Sequence, residues 1–223
     1  MRRNNPLFDD YLKLIFLVAL LFSQGAHSAL ISTNAGKISS LVVTSREVLI
    51  NHLIERALAS EPNSAKISTS LNPSDVRSSL FVRETTSVLL ELAIYQEAES
   101  FAAPEIPQNE LQAKIKLVQK KLAGNSLWNS LEVDSKELQE MTRKKLKAKN
   151  FIRFKVESGA IPITDQEARE YFNNNKLKFE NLPFESFKEN IKKYLAKQQV
   201  DRRLKDWFEL IQSKYKVRNY LAE

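Results

Sequence analysis

The sequence predicts a mainly α-helical protein, a helical bundle with a short β-hairpin or extended arm near the start of the mature chain. First, apolar residues recur at intervals of three and four through most of residues 46–214, as expected for helices that bury one face. Second, proline, glycine and capping residues divide this region into segments of helical length. Third, residues 38–43 are rich in β-branched and apolar residues, which is typical of a strand.

Residues 1–28 have the three parts of a secretory signal peptide. Arg2, Arg3 and Lys13 give a basic start, an unbroken apolar run covers residues 14–22, and small residues precede Ala29. This run is too short for a membrane-spanning helix, which needs about 20 residues. We therefore predict cleavage between Ser28 and Ala29 and a periplasmic location. The alternative is an N-terminal anchor that is not cleaved.

Composition argues against several kinds of site. Removal of residues 1–28 takes away three of 34 basic and two of 27 acidic residues, which leaves 195 residues with a net charge of +6. The chain has no cysteine, its mature part has one histidine, His52, and glycine is scarce. These counts disfavour thiolate or zinc sites, a catalytic triad and a phosphate-binding loop. We expect no metal, no cofactor, no small-molecule substrate and no catalytic residue, and we expect His52 to lie at the surface.

The first half of the chain contains the predicted hairpin and three helices. Residues 34–37 (NAGK) are expected to form a turn before the strand, and Ser45 is expected to cap a helix over residues 46–60. Residues 72–75 (NPSD) resemble a helix start, so the next helix is expected to run to about Phe101. Its wide apolar stripe predicts the central helix of the core. Prolines then separate it from a helix over residues 108–123.

The second half is predicted to contain one short turn or helix and three further helices. Trp128 lies in the short element, and Ser135 opens a helix that reaches at least Ile152. Thr164 and Glu167 form a capping box that opens a helix ending near residues 173–175. The last long helix is expected over residues 184–214, with a tail that packs on another part of the chain.

Four segments, in this order, resemble a known family. They are residues 42–48 (VVTSREV), 89–98 (LLELAIYQEA), 163–172 (ITDQEAREYF) and 184–195 (FESFKENIKKYL). Together with the signal peptide, the order resembles the SurA-type family of periplasmic chaperones and parvulin-type prolyl isomerases. The resemblance implies one chaperone module over residues 29–223, in which residues 164–223 return to pack on residues 30–163.

One departure from the family pattern concerns the prolyl isomerase activity. In that family a parvulin domain of about 90–100 residues, the size of one small domain, usually separates the last two segments. Here only residues 173–183 lie between them, which is too short for a catalytic domain. The resemblance therefore implies a chaperone without isomerase activity.

Four aromatic residues near loop boundaries or off the main apolar stripes are candidates for a client-binding groove. They are Trp128, Phe151, Phe154 and Tyr171. The alternative for each is burial in the core, where large aromatic side chains usually lie.

The densest cluster of charge in the sequence is a run of basic residues. It consists of Arg143, Lys144, Lys145, Lys147 and Lys149. It predicts either a solvated helix face or a surface that contacts an acidic client or an anionic membrane. Export and the lack of interleaved aromatic residues argue against nucleic acid.

Two functions fit these observations. The first is an ATP-independent periplasmic holdase for unfolded exported or outer-membrane proteins. The second is an accessory or structural protein that binds one folded partner in the cell envelope.

Overall fold

A computed structural model describes residues 32–61, 67, 71–159, 161–179 and 182–223. The predicted signal peptide and its cleavage site at Ser28 and Ala29 lie outside the described residues. Residues 32–223 belong to one compact unit, which is mainly helical with a small antiparallel sheet, so the predicted fold class is confirmed. In the described parts of the chain, no helix has both the length and the hydropathy needed to cross a membrane.

The sheet brings the two ends of the described chain together. Strands β1 (Asn34–Ile38) and β2 (Leu41–Thr44) form the predicted hairpin, and β3 (Arg218–Asn219) adds to the free side of β1. The prediction of a turn over residues 34–37 is wrong, because the turn lies at Ser39 and Ser40. The side chains of Ala35 and Ile38 are fully buried, and their burial draws this segment into the sheet.

Seven α-helices follow β2 in the part of the chain that the structure describes. They are α1 (Ser45–Ala59), α2 (Ser79–Ser100), α3 (Gln108–Leu122), α4 (Ser126–Ser130), α5 (Ser135–Ser158), α6 (Asp165–Asn174) and α7 (Lys188–Lys214). Two 3-10 turns, Lys176–Phe179 and Phe184–Ser186, lie between α6 and α7.

Three helix starts differ from the prediction, and one of them is that of α7, which begins at Lys188 rather than at residue 184 because Phe184–Ser186 forms a 3-10 turn. Thr44, not Ser45, caps α1, since its hydroxyl accepts from the Glu47 amide while the Glu47 carboxylate accepts from the Thr44 amide. Ser45 is buried and accepts from the Thr33 amide instead. Helix α2 begins at Ser79 rather than at Asn72, because the Asn72 side chain accepts from the amide two residues later and forms a turn.

Helix α2 is the central helix of the bundle. It contacts α1, α5, α7 and both β1 and β3, and its fully buried residues include Phe81, Leu89 and Ala93. A helix with neighbours on several sides must be apolar over most of its circumference, which agrees with its wide apolar stripe.

The long helix α7 has two different environments. Its N-terminal half packs with α6 around a small core of Ala168, Phe184 and Ile191. Its C-terminal half packs on α2, where Ile211 is buried. The chain therefore returns to the N-terminal helices at its end, and the same helix supports a lobe formed with α6.

Candidate functional site

An apolar groove of about 510 Å³ lies between α5 and the segment that connects α2 to α3. Phe101 and Phe154 stand at its surface with 57% and 56% of their area exposed, whereas Phe151 is buried with 3% exposed. The other lining residues are Ala102, Ala103, Pro104, Glu105, Pro107, Lys147 and Asn150. The side chains of Phe101 and Phe154 thus remain in contact with solvent, next to the buried ring of Phe151.

The local sequence explains why this connection stays open. Helix α2 ends at Ser100, the amide of the capping residue Phe101 donates to the Glu97 carbonyl, and Ala102 takes a left-handed conformation with φ of 49°. Pro104 cannot continue a helix, and Pro107 precedes the first residue of α3. The segment is therefore held outside regular structure, and Phe101 is left exposed at its edge.

The groove belongs to a larger group of aromatic rings from three helices. The ring centroid of Phe151 lies 5.7 Å from Phe101, 6.1 Å from Phe154 and 6.0 Å from Trp207. Trp207 lies in turn 5.3 Å from Phe208. We call Phe101, Phe151, Phe154 and Trp207 the aromatic cluster. These separations are within the range in which aromatic pairs attract each other.

Lys155 places its ammonium group over the aromatic cluster. Its Nζ lies 4.7 Å from the ring centroid of Phe101, 5.4 Å from that of Phe151 and 5.9 Å from that of Trp207. Lys155 and Trp207 also line a second groove of about 180 Å³, together with Val156, Gly159, Val200, Arg203 and Leu204. Lys155 therefore lines the smaller groove and lies over two rings, Phe101 and Phe151, that line the larger one.

The four predicted groove residues do not form one surface. Phe151 and Phe154 lie together in the aromatic cluster, with Phe151 as its floor. Tyr171 lies in the lobe, where its ring is 6.4 Å from Phe179 and 5.5 Å from Tyr194. Trp128 is half-buried on α4, away from both groups.

Phe101 and Trp207 were not predicted as groove residues, because each lies on an apolar stripe at helical spacing. The signal for Phe101 is its position at the end of a helix just before two prolines. Trp207 gives no such signal, since its contact with Phe151 joins two distant helices.

The basic run on α5 is not a solvated face, so that interpretation is wrong. Lys145 and Lys147 are buried, each with 3% of its side chain exposed. The Lys145 ammonium donates to Glu91 at 2.6 Å, and the Lys147 ammonium pairs with Glu99 and Glu105.

The other members of the run also face carboxylates. Arg143 lies 3.6 Å from Glu105, Lys144 lies 3.2 Å from Glu140, and Lys149 lies 2.7 Å from Glu55. Four of these five side chains thus pair with carboxylates of α1, α2 or the α2–α3 connection, and Lys144 pairs within α5. That the run contacts an acidic partner or an anionic membrane stays a prediction, for which only the partly exposed Arg143, Lys144 and Lys149 would be accessible.

Two carboxyl groups of this ion-pair network have pKa values shifted in opposite directions. Burial raises the pKa of Glu91 above its ordinary value, and Lys145 offsets this only in part. Burial also acts to raise the pKa of Glu55, but contacts with Lys149 and Lys145 outweigh it, so that this pKa is lowered. The network therefore joins α1, α2 and α5 through charges that the interior partly desolvates.

His52 is not a surface residue, contrary to the prediction. Only 12% of its side chain is exposed, and its Nδ1 lies 3.0 Å from Glu84. In the described ranges, no group of three or more histidine, cysteine, aspartate or glutamate residues is arranged to hold a metal ion.

No family model, curated protein or solved structure matches this chain.

Proposed function

We propose that this protein is an ATP-independent holdase that binds unfolded exported or outer-membrane proteins in the periplasm and has no isomerase activity. The observation that carries the proposal is the exposure of Phe101 and Phe154 above the buried ring of Phe151. Soluble monomeric proteins rarely leave large contiguous apolar patches in solvent unless the patch binds a partner.

The shape and composition of the groove suit an unfolded chain. Its volume of about 510 Å³ lies in the range of ligand pockets, about 300–1,000 Å³. Seven of its ten lining residues are phenylalanine, proline or alanine, so binding would depend on apolar contact rather than on reading a particular sequence. Binding of this kind withdraws unfolded chains from aggregation by mass action, without ATP.

The absence of isomerase activity is supported by the connection between α6 and α7. The described parts of this connection are the 3-10 turns Lys176–Phe179 and Phe184–Ser186, at the place where the resembling family carries its parvulin domain. Export is supported by the signal-peptide pattern of residues 1–28 and by the resemblance to periplasmic chaperones.

The test is suppression of porin aggregation. The full chain, purified after export from a bacterial host, is added in several-fold excess to a denatured outer-membrane porin while light scattering is followed on dilution. We expect suppression by the natural protein. The double variant F101Q/F154Q should require about tenfold more protein for the same effect, since exposed aromatic anchors dominate such contacts.

A matched control is L177Q, which removes another apolar side chain that is 98% exposed and lies outside the groove. It should suppress aggregation as well as the natural protein does. Failure of the natural protein to suppress aggregation, or equal activity of the double variant, would count against the proposal.

A further inference from the structure

Lys155 differs from the five residues of the basic run that precede it on α5. Arg143, Lys144, Lys145, Lys147 and Lys149 each lie within 4 Å of a carboxylate oxygen. Among the described residues, no such carboxylate pairs with Lys155, whose ammonium instead lies over three rings of the aromatic cluster.

The carboxylate of Glu97 is close enough for Lys155 to help lower its pKa, but it has other partners. Lys214 and the Tyr215 hydroxyl both donate to the same oxygen of Glu97. Lys155 therefore keeps a positive charge beside apolar surface.

This placement favours an anionic ligand group. The rings attract the ammonium through their negative faces and hold it at the groove. They also displace water from one side of it, and partial loss of water strengthens the attraction to an incoming carboxylate. An apolar segment that carries a negative charge would thus bind more tightly than the same segment without the charge.

We propose that Lys155 pairs with an aspartate or glutamate side chain of the bound segment, next to an aromatic or large apolar residue that enters the groove. This inference rests on the proposed function. A side-chain carboxylate fits better than a chain terminus, because Lys155 is associated with two grooves. It lines the smaller groove with Leu204 and Trp207, and its ammonium lies over Phe101 and Phe151, which line the larger one. A bound chain that continues past the carboxylate can therefore contact both grooves.

The experiment uses three fluorescent peptides of one aromatic and apolar sequence. The first carries aspartates beside the aromatic residues and an amidated C-terminus. The second carries asparagines at those positions and is also amidated. The third carries the asparagines and a free C-terminal carboxylate. Fluorescence anisotropy at low and high salt gives the Kd of each peptide for the full chain purified after export.

We expect the natural protein to bind the aspartate peptide about fivefold more tightly than the asparagine peptide at low salt. K155M should bind both peptides equally, because methionine keeps an apolar side chain and loses the charge, whereas K155R should keep the preference. Binding of the asparagine peptide by K155M also shows that the variant is folded. The matched control is K136M, which removes an exposed lysine about 28 Å away along α5 and should keep the preference.

The other outcomes would contradict either this inference or the proposed function. Equal binding of the first two peptides by the natural protein, or a preference that survives in K155M, overturns this inference and leaves the holdase proposal standing. Tighter binding of the third peptide than of the first would assign the contact to a chain terminus and overturn the inference as stated. No binding of any peptide would count against the holdase proposal itself.

Discussion

Glu97 is one of the residues through which the end of the chain is bonded to the central helix. It lies in the last turn of α2, is 8% exposed, and accepts hydrogen bonds from Lys214 and from the Tyr215 hydroxyl at 2.6 Å. Burial acts to raise the pKa of Glu97, but the bonds from Lys214 and Tyr215 outweigh it and lower the pKa below 4.5. A lowered pKa in the folded state means that the ionised carboxylate contributes to stability.

The variant E97Q should therefore be less stable at neutral pH. We expect a loss of about 1 kcal/mol in the free energy of unfolding at pH 7, since the amide keeps one acceptor but loses the charge. The contribution is present above pH 4.5, the ordinary pKa, and is lost as the pH falls through the lowered pKa. Urea unfolding should thus show a gap between natural protein and variant that closes in acid.

Comparing E97Q with the natural protein at each pH controls for the protonation of other carboxyl groups, because that protonation affects both proteins alike. E189Q is a matched variant, since Glu189 is exposed on α7, and it should unfold with the natural protein at both pH values. A gap between E97Q and the natural protein that stays constant or widens in acid would contradict this account of Glu97.

Contacts between side chains far apart in the sequence could not be predicted from the sequence. The spacing of Lys145, Lys147 and Lys149 places them on one helix, but their partners Glu91, Glu105 and Glu55 lie 54, 42 and 94 residues away. Such pairs depend on how helices pack, which a charge run does not show. The exposed ring of Phe154 was predicted, whereas Phe101 and Trp207 were missed, because joining rings into one cluster also requires the packing.

At the scale of elements, local signals were the most informative. The capping box at the start of α6 is confirmed, with the Glu167 carboxylate accepting from the Thr164 amide at 2.7 Å. The break between the predicted helix over residues 108–123 and the short element that contains Trp128 is also confirmed, because α3 ends at Leu122 and α4 begins at Ser126. These signals act over three or four residues. Strand β3 has two residues and exists only because β1 lies beside it, so no local pattern could predict it.

Gly36 allows the strand pair β1–β3 to pack against α2. A Cβ at this position would lie 2.5 Å from the Arg218 carbonyl oxygen and 2.6 Å from Cδ1 of Leu89. The variant G36A should therefore lose about 2 kcal/mol of stability, the usual cost of overpacking a core. Urea unfolding measures the loss.

Hydrogen exchange of the Tyr220 amide, which donates to the Ala35 carbonyl at 2.9 Å, should also become faster in G36A. The control S40A changes an exposed residue in the turn of the same hairpin and should leave both measurements unchanged. Full stability of G36A would mean that β3 moves away from β1 at little cost.

At the scale of the whole molecule, the chain is closed by contacts between its two described ends. Besides the Tyr220–Ala35 bond, the Asn219 side chain donates to the Val82 carbonyl at 2.9 Å and to the Thr86 hydroxyl at 2.8 Å. The first strand, the central helix and the last residues therefore meet at one place. Contacts of such large sequence separation can form only after the whole chain is available, and they cost loop-closure entropy.

Deletion of residues 217–223 tests how far the fold depends on this closure. The deletion removes β3, the amide that donates to Ala35 and the side chain that bonds α2, but it keeps Lys214 and Tyr215 on Glu97. At about 1 kcal/mol for each net hydrogen bond lost, together with newly exposed apolar surface on β1, we expect a loss of roughly 3 kcal/mol in urea unfolding.

Deletion of residues 222–223 alone is the matched control, because it removes the exposed end with the Arg218–Glu223 pair and the 3.3 Å bond from the Ala222 amide to the Asn219 carbonyl, but keeps the bonds of Asn219 and Tyr220 to α2 and β1. Exposed pairs contribute little, so this variant should unfold with the natural protein. If the longer deletion were equally harmless, the bundle would be held by its helices alone, and β3 would be an addition to the fold rather than its closure.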